Sequence, residues 1–291
     1  MEKLIGLDTL TEILETVIWS GALANSIPIS VLIVGQSGTG KSKTVLSFEA
    51  PSLFCTNDMT SSGLFEAMQR DRENKIRHIV FPDMNAILSH KGSTTDLFFG
   101  NMLALMSEGI TRIDDGRQQK EMPHLPVGLI AAATPEMYDL QDKKWSMTGF
   151  KRRFLPLFYT YSMQTRQRVN GEIREGNITL KQLTKKKIEL PKTLATVAIS
   201  KEEGLRIEAM SLQLADSLSW SAQRFRDPES KRIFVRAVAG AMPMEFTPHL
   251  ILRSLASANA LKHRRGKVGP KDIEFLSMTI NFTRYGSPVQ L

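Results

Sequence analysis

The 291 residues and 32.6 kDa of this chain predict one mid-sized domain plus a smaller one, because single cores rarely exceed roughly 250 residues. Its 42% hydrophobic and 23% charged residues are ordinary for globular proteins and exclude the disordered, collagen-like and membrane classes. The net charge of +8 and the isoelectric point near 9.6 favour polyanions such as nucleic acid as partners, although a solvated basic surface gives the same totals.

The first predicted helix covers residues 9–21. A capping-box pattern at Thr9 and Glu12 begins it, and apolar residues follow at helical spacing. These apolar residues are Leu10, Ile13, Leu14, Val17 and Ile18. The β-branched run at 27–34 then predicts a buried strand of a parallel sheet, which a glycine-rich turn and a helix follow directly.

Four further short apolar runs predict strands that helices or loops separate. They cover residues 53–55, 78–81, 127–133 and 155–159. This alternation indicates an α/β protein with a three-layer core around a parallel sheet. We therefore predict an α/β domain at 1–163.

Helical patterns dominate the rest of the chain. They lie at 201–218, 228–242, 247–262 and 270–282, and the polar stretch 164–187 is typical of an exposed helix or a linker. We therefore predict an all-α second domain at 164–291.

Cysteine usage and the apolar pattern bear on the compartment. Cys55 is the single cysteine, which excludes an intrachain disulfide framework and a cysteine-based metal site and fits a reducing compartment. The first residues are charged and no run of about 18 apolar residues occurs, so neither a signal peptide nor a membrane span is expected. The expected location is cytoplasmic, with no membrane contact.

The segment after the first predicted strand is a complete phosphate-binding motif. The pattern G-x-x-x-x-G-K-[ST] is matched from Gly35 to Ser42, between a strand and a helix as the motif requires. Glycines let successive backbone N–H groups converge on phosphate oxygens at the start of a helix. Lys41 is expected to reach the β- and γ-phosphates of ATP and Ser42 to ligate Mg²⁺. The alternative is a loop that only turns the chain. The predicted nucleotide-binding residues here are Gly35, Gln36, Ser37, Gly38, Thr39, Gly40, Lys41, Ser42 and Lys43.

A phosphate site of this kind needs a second carboxylate on a neighbouring strand to hold Mg²⁺. Asp83 closes the run Ile79–Asp83 and is the candidate. The alternative is that Asp83 merely caps the next turn.

Together these residues resemble the AAA+ superfamily, and within it the branch of minichromosome maintenance helicases and MoxR-type ATPases. Thr60–Leu64 is similar to the small-residue stretch that follows the P-loop helix in those helicases. Asp83 falls where their Mg²⁺-binding aspartate falls. Leu103–Ile113 resembles the helix and strand before their pre-sensor hairpin, with a tight-turn signal at 115–116.

The resemblance implies catalytic roles for three further residues. Thr134 takes the sensor-one position, where a polar side chain holds water near the γ-phosphate, unless Thr134 is an ordinary strand exit. Phe150–Phe154 resembles the arginine-finger motif, which makes Arg153 the implied finger and Arg152 the second candidate, unless this is a solvated basic turn. A finger acts on the nucleotide of a neighbouring subunit, so a homo-oligomeric ring or filament is implied.

The helical region resembles the lid domain of the same branch at 246–249 and 253–273. The sensor-two arginine of that branch does not fall on a single position. His249 occupies its motif slot and Arg253 lies one helical turn later, so both are candidates for contacting nucleotide.

The sequence also departs from the AAA+ pattern. Met84 stands where these proteins typically have a glutamate that polarises the attacking water, so we expect slow hydrolysis or a base from elsewhere. We expect no N-terminal DNA-binding domain ahead of the ATPase region, and 63–83 is too short for the helix-two insert of the helicases. A processive replicative helicase acting alone is therefore not expected.

These features lead to a functional hypothesis. The resemblance implies an ATP-binding, Mg²⁺-dependent ATPase that remodels or translocates a polymer, with nucleic acid first because of the charge. Arg112, Arg117 and Lys120 flank the implied hairpin and suit phosphates, whereas Asp114 and Asp115 at its tip oppose them. The alternatives are a MoxR-type chaperone that acts on protein, and an ATP-gated scaffold that recruits partner proteins with slow hydrolysis.

Overall fold

The computed structural model describes residues 4–90, 92–114, 119–176, 185–226, 233–239, 246–285 and 287–291. Its helices are α1 (Asp8–Ser20), α2 (Lys41–Val45), α3 (Ser61–Arg70), α4 (Asn85–Leu88), α5 (Gly92–Ser107), α6 (Pro135–Met147), α7 (Met163–Arg174), α8 (Lys201–Ser219), α9 (Phe246–Lys262) and α10 (Pro270–Asn281). Its strands are β1 (Ser30–Val34), β2 (Phe48–Glu49), β3 (Leu53–Cys55), β4 (His78–Phe81), β5 (Ile110–Asp114), β6 (Gln119–His124), β7 (Gly128–Ala133), β8 (Phe154–Thr160), β9 (Lys186–Lys187), β10 (Trp220–Arg226), β11 (Ile233–Ala239) and β12 (Val289–Gln290). A short 3₁₀ helix covers Lys151–Arg153.

The largest sheet is parallel and has the strand order β12, β8, β1, β7, β4, β3. Within it β1 is central, with Leu32 opposite Ala131 of β7 and opposite Pro156 of β8. Parallel neighbours need crossover connections, and helices supply most of these. The predicted α/β core with a parallel sheet is confirmed, and β3 and β4 have the predicted bounds.

Alternate residues of β1 point to opposite faces of the sheet. Val31 and Ile33 pack into a core with residues of α1, α8, α9 and α10. Leu32 and Val34 pack into a second core with residues of α3, α5 and α6. Each large aliphatic side chain buried in this way contributes about 1.5–3 kcal/mol. Because both faces are covered, the strands read as continuous apolar runs and form a rigid base for the loops at their ends.

The C-terminal part is mainly helical, as predicted. Helices α8, α9 and α10 pack on one another, and α9 also packs on α1. The helix predicted at 228–242 is wrong, because β10 and β11 form an antiparallel hairpin that pairs Trp220 with Ala239. The run Ile233–Ala239 is rich in residues that favour strands, and the period of a short apolar run does not separate strand from helix. The division of domains at 163/164 stays a prediction.

The predictions for the start of helix α1 and for the hairpin differ in their outcome. Helix α1 lies close to the predicted 9–21, but it begins at Asp8 after Leu7 with no side-chain cap, so the predicted capping box at Thr9 is wrong. The predicted hairpin is confirmed, because β5 and β6 pair antiparallel with Ile113 opposite Lys120. Residues 115–118 at its tip lie outside the described residues.

Helix α7 occupies part of the polar stretch 164–187, for which an exposed helix or a linker was expected. Its residues are mostly exposed or half-buried, and Thr165 is its buried residue. Across the part of the chain that the structure describes, we find no helix with the length and apolar character needed to cross a bilayer.

Candidate functional site

The glycine-rich loop lies between the end of β1 and the start of α2, as the motif requires. Gly38 and Gly40 have φ angles of +79° and +81°, which place them in the left-handed region that side chains disfavour. At Gly35 an added Cβ atom would lie 3.0 Å from the ring of Tyr159. Glycine is therefore needed at three positions of this loop, twice for conformation and once for space.

The loop borders a cavity of about 430 Å³ at the carboxyl edge of the sheet. Lys41, Ser42, Asp83 and Thr134 all line it. They follow β1, β4 and β7, which are neighbours in the sheet, so their side chains meet at one edge. The structure thus brings together the residues predicted for phosphate, Mg²⁺ and water. Further lining residues from the predicted set are Ser37, Gly38, Gly40 and Lys43.

The lysine and the serine of the motif are held by backbone carbonyls. Lys41 Nζ donates to the backbone carbonyl oxygen of Gln36 at 2.7 Å, and Ser42 Oγ donates to the backbone carbonyl oxygen of Pro82 at 2.8 Å. Burial lowers the pKa of Lys41, and the nearby carboxylates of Asp83 and Glu136 oppose that shift. An ammonium, a hydroxyl and a carboxylate around glycines that leave room for a ligand fit a nucleoside triphosphate with Mg²⁺.

The carboxylate of Asp83 accepts two hydrogen bonds from Asn85. Its Oδ1 accepts from the Asn85 backbone N–H at 2.9 Å, and its Oδ2 accepts from Asn85 Nδ2 at 3.2 Å. Asp83 therefore organises the start of α4 and also lines the cavity. Asn85 lines the cavity too, and the sequence patterns did not single it out.

Met84 does not face this cavity. Its side chain is 1% exposed and belongs to the hydrophobic core on the α5 side of the sheet. Its backbone N–H donates to the Ala132 oxygen at 3.0 Å, which holds residue 84 against the end of β7. The side chain at position 84 therefore points into the protein.

Thr134 lies between the end of β7 and the start of α6. Its Oγ1 accepts from the Met137 N–H at 3.3 Å, so Thr134 is the N-cap of α6. Thr134 thus forms an ordinary strand exit and also lines the cavity, and its sensor-one role stays a prediction. Glu136 lies in the first turn of this helix, and the rule that selects Asp83, a carboxylate just after a buried strand, also selects Glu136.

One wall of the cavity is mainly apolar. Its residues come from the segment before α1, from the segment between β8 and α7 and from one side of α7 itself. The residues are Leu4, Ile5, Tyr161, Val169 and Ile173. Cavities with an apolar wall and a few polar groups suit ligands with a ring at one end and charge at the other. The sequence did not indicate these residues, although Val169 and Ile173 have the i, i+4 spacing of one helix face.

Side chains of strand β8 and helix α7 donate hydrogen bonds to the P-loop. The Tyr159 hydroxyl donates to the Thr39 carbonyl at 2.9 Å, and the Thr39 hydroxyl donates to the Gln36 carbonyl at 2.7 Å. Burial raises the pKa of Tyr159, so its phenol stays protonated as a donor. Arg166 of α7 donates to the Gln36 side chain at 3.2 Å.

The three arginines that the sequence analysis singled out do not line the P-loop cavity. Arg152, Arg153 and Arg253 line a second cavity of about 640 Å³, near the amino end of β1, which begins at Ser30. Arg153 donates through Nε to Ser107 Oγ and through Nη1 to the Gly149 oxygen at 3.0 Å. The described residues that line this cavity include no aspartate or glutamate.

The sensor-two candidates do not lie at the P-loop cavity of the same chain. Arg253 is exposed on α9 and lines the cavity with the other two arginines. His249, half-buried on α9, lines neither cavity. The reason is that α9 packs against α1 and α8, while α7 walls the P-loop cavity.

Comparison with known proteins supports the fold. The sequence matches no protein-family model and no curated protein. It is similar in structure to a presumed ATPase from Cytophaga hutchinsonii, solved at 2.00 Å, with a TM-score of 0.50 and 15% identity over 96% of this chain and 82% of that one. At this identity the likeness is one of fold alone. It agrees with an α/β core followed by a mainly helical part.

Proposed function

We propose that this chain is a Mg²⁺-dependent ATPase. The observation that carries the proposal is the meeting of Lys41, Ser42, Asp83 and Thr134 in one cavity at the carboxyl edge of the sheet. The structural likeness to a presumed ATPase supports the same conclusion.

Each of these residues has a chemical task in the proposed reaction. Lys41 neutralises charge on the β- and γ-phosphates, and Ser42 and Asp83 hold Mg²⁺. The bound metal supplies further charge neutralisation at the phosphates. Thr134 orients water by hydrogen bonding, and the apolar wall that includes Tyr161 receives the base.

The experiment is ATP binding by titration calorimetry and phosphate release, each with and without Mg²⁺. We compare the wild type with Lys41→Ala and with the control variant Lys143→Ala. Lys143 is an exposed residue of α6 that does not line the cavity. Loss of binding and turnover in Lys41→Ala alone supports the proposal. Equal ATP affinity and turnover in Lys41→Ala and the wild type contradict it.

We further propose that the ATPase works as a homo-oligomer in which Arg153, with Arg152 beside it, acts on the nucleotide of a neighbouring subunit. These arginines lie near the amino end of β1, and the P-loop lies at its carboxyl end. A head-to-tail contact, which generates rings or filaments, would bring the two together. Guanidinium groups in a cavity whose described lining residues include no carboxylate suit a phosphate of the next subunit.

We propose nucleic acid as the polymer on which the oligomer acts, because the net charge of +8 attracts phosphates. The test is a titration with single- and double-stranded DNA at several salt concentrations, with and without ATP. The proposal is supported if the logarithm of the association constant falls linearly with the logarithm of the salt concentration. Absence of DNA binding at low salt contradicts the proposal and favours a protein substrate or a scaffold with slow hydrolysis.

A further inference from the structure

The apolar wall of the P-loop cavity comes from two segments that lie far apart in the chain. Leu4 and Ile5 precede α1, whereas Tyr161, Val169 and Ile173 follow β8. These five residues are half-buried or exposed, so few packing contacts hold each side chain in place. The backbone of the two segments therefore decides where the wall lies.

Strand β12 is bonded to the second of these segments. It runs parallel to β8 at the edge of the sheet. The Leu291 N–H donates to the backbone oxygen of Thr160 at 2.9 Å, and the backbone oxygen of Leu291 accepts from the Ser162 N–H at 2.8 Å. These two bonds flank Tyr161 of the wall, and they hold Ser162, which is the N-cap of α7.

The segment before α1 meets β12 and α7 at the same point. Gly6, which follows Ile5, has a φ angle of +74°. A Cβ atom at Gly6 would lie 3.1 Å from Cγ2 of Thr165 and 3.7 Å from the carbonyl carbon of Leu291. Thr165 is buried in the first turn of α7. We call the meeting of Gly6, Thr165 and Leu291 the wall junction.

We propose that the wall junction positions the two parts of the apolar wall and thereby sets the affinity of the site for the base of ATP. The inference rests on the proposed ATPase function. Gly6 and Leu291 are positioning residues, which act through the wall residues next to them. Lys41 and Ser42 belong to the loop after β1 and take no part in the junction. A disturbed junction therefore weakens contact with the base and leaves contact with the phosphates.

The first test variant is Gly6→Ala. Alanine disfavours the left-handed backbone conformation, and its Cβ atom would press on Thr165, so the junction has to open. The matched control is Gly176→Ala. Gly176 has a φ angle of +72°, and no described atom lies within 4 Å of an added Cβ. The control thus carries the same backbone strain outside the junction.

The experiment measures the affinity for ATP, the affinity for inorganic tripolyphosphate, and phosphate release against ATP concentration, all with Mg²⁺. In Gly6→Ala the ATP affinity is expected to fall about tenfold because the base loses apolar contact, while the tripolyphosphate affinity stays within about twofold of the wild type. KM should rise while kcat stays within about twofold. Gly176→Ala should equal the wild type in all three. A general loss of folded protein would not separate the two ligands in this way.

Leu291→Pro repeats the test from another segment of the junction, and it replaces Gly6→Ala if that variant does not fold. Proline removes the N–H that donates to Thr160. The control is Gln290→Pro. Gln290 is exposed on the edge strand, and its N–H points away from β8 because successive residues of a strand bond to opposite sides. The ratio of ATP affinity to tripolyphosphate affinity should fall in Leu291→Pro alone.

The outcomes separate this inference from the function on which it rests. A wild type that binds neither ATP nor tripolyphosphate overturns both. Equal losses for the two ligands in Gly6→Ala overturn the role of the wall junction and leave the ATPase standing. Unchanged ATP affinity in Gly6→Ala and Leu291→Pro overturns that role as well.

Discussion

The phenolic hydroxyl of Tyr159 donates a hydrogen bond to the carbonyl of Thr39 at 2.9 Å and so fastens strand β8 to the phosphate-binding loop. The tyrosine is 2% exposed, and its ring lies 3.0 Å from the place that a Cβ atom at Gly35 would take. The same strand begins next to Arg153. One strand therefore connects the proposed subunit contact with the proposed phosphate site.

We predict that Tyr159→Phe weakens ATP binding by about tenfold, equivalent to about 1.4 kcal/mol. The variant leaves the buried Thr39 carbonyl without its donor, which also costs about 1–3 kcal/mol of stability. Calorimetric titration and urea unfolding measure the two effects. Tyr285→Phe, which loses a bond of 2.8 Å to Asp139, is the control: it should lose stability without losing affinity. If Tyr159→Phe binds ATP with the same affinity as Tyr285→Phe, the role of Tyr159 is refuted.

We predict that Met84→Glu destabilises the protein instead of accelerating hydrolysis. The side chain is enclosed by the core, and an uncompensated buried charge costs about 3–5 kcal/mol. Met84→Leu keeps the volume and should cost less than about 1.5 kcal/mol. Thermal unfolding and phosphate release test this. A stable Met84→Glu protein with faster turnover would show that residue 84 reaches the nucleotide.

We predict that Arg153→Ala leaves ATP binding to dilute subunits unchanged but lowers turnover of the assembly by a factor on the order of 10³. Wild-type specific activity should rise with protein concentration through the assembly range. Arg70→Ala, an exposed arginine of α3 paired with Glu66, serves as the control and should retain full turnover. Specific activity that is independent of protein concentration would remove the reason for an arginine acting between subunits.

We predict that Asp272→Asn costs about 3 kcal/mol of stability. The carboxylate is fully buried and accepts from Arg265 at 2.7 and 2.8 Å, from Asn259 at 2.8 Å and from the Gly269 N–H at 2.9 Å. It therefore joins α9 to α10. Glu202→Gln breaks the exposed pair with Arg206 and should cost less than about 1 kcal/mol. Similar midpoints of urea unfolding for the two variants would contradict this.

The sequence by itself determined the local features of this protein. Gly38 and Gly40 take positive φ angles that glycine permits, and the apolar runs at 53–55 and 78–81 are strands. These outcomes depend on residues next to one another in the chain, for which conformational preference and periodicity suffice. Asp83 was likewise found because it lies two residues after the end of a strand.

Only the tertiary structure decided which side chains share a site. The turn between β4 and α4 directs Met84 into the core, while its chain neighbours Asp83 and Asn85 line the cavity. Packing of α9 on α1 carries Arg253 away from the P-loop. Contacts between residues far apart in the chain depend on how helices pack on the sheet, and no local pattern encodes that choice.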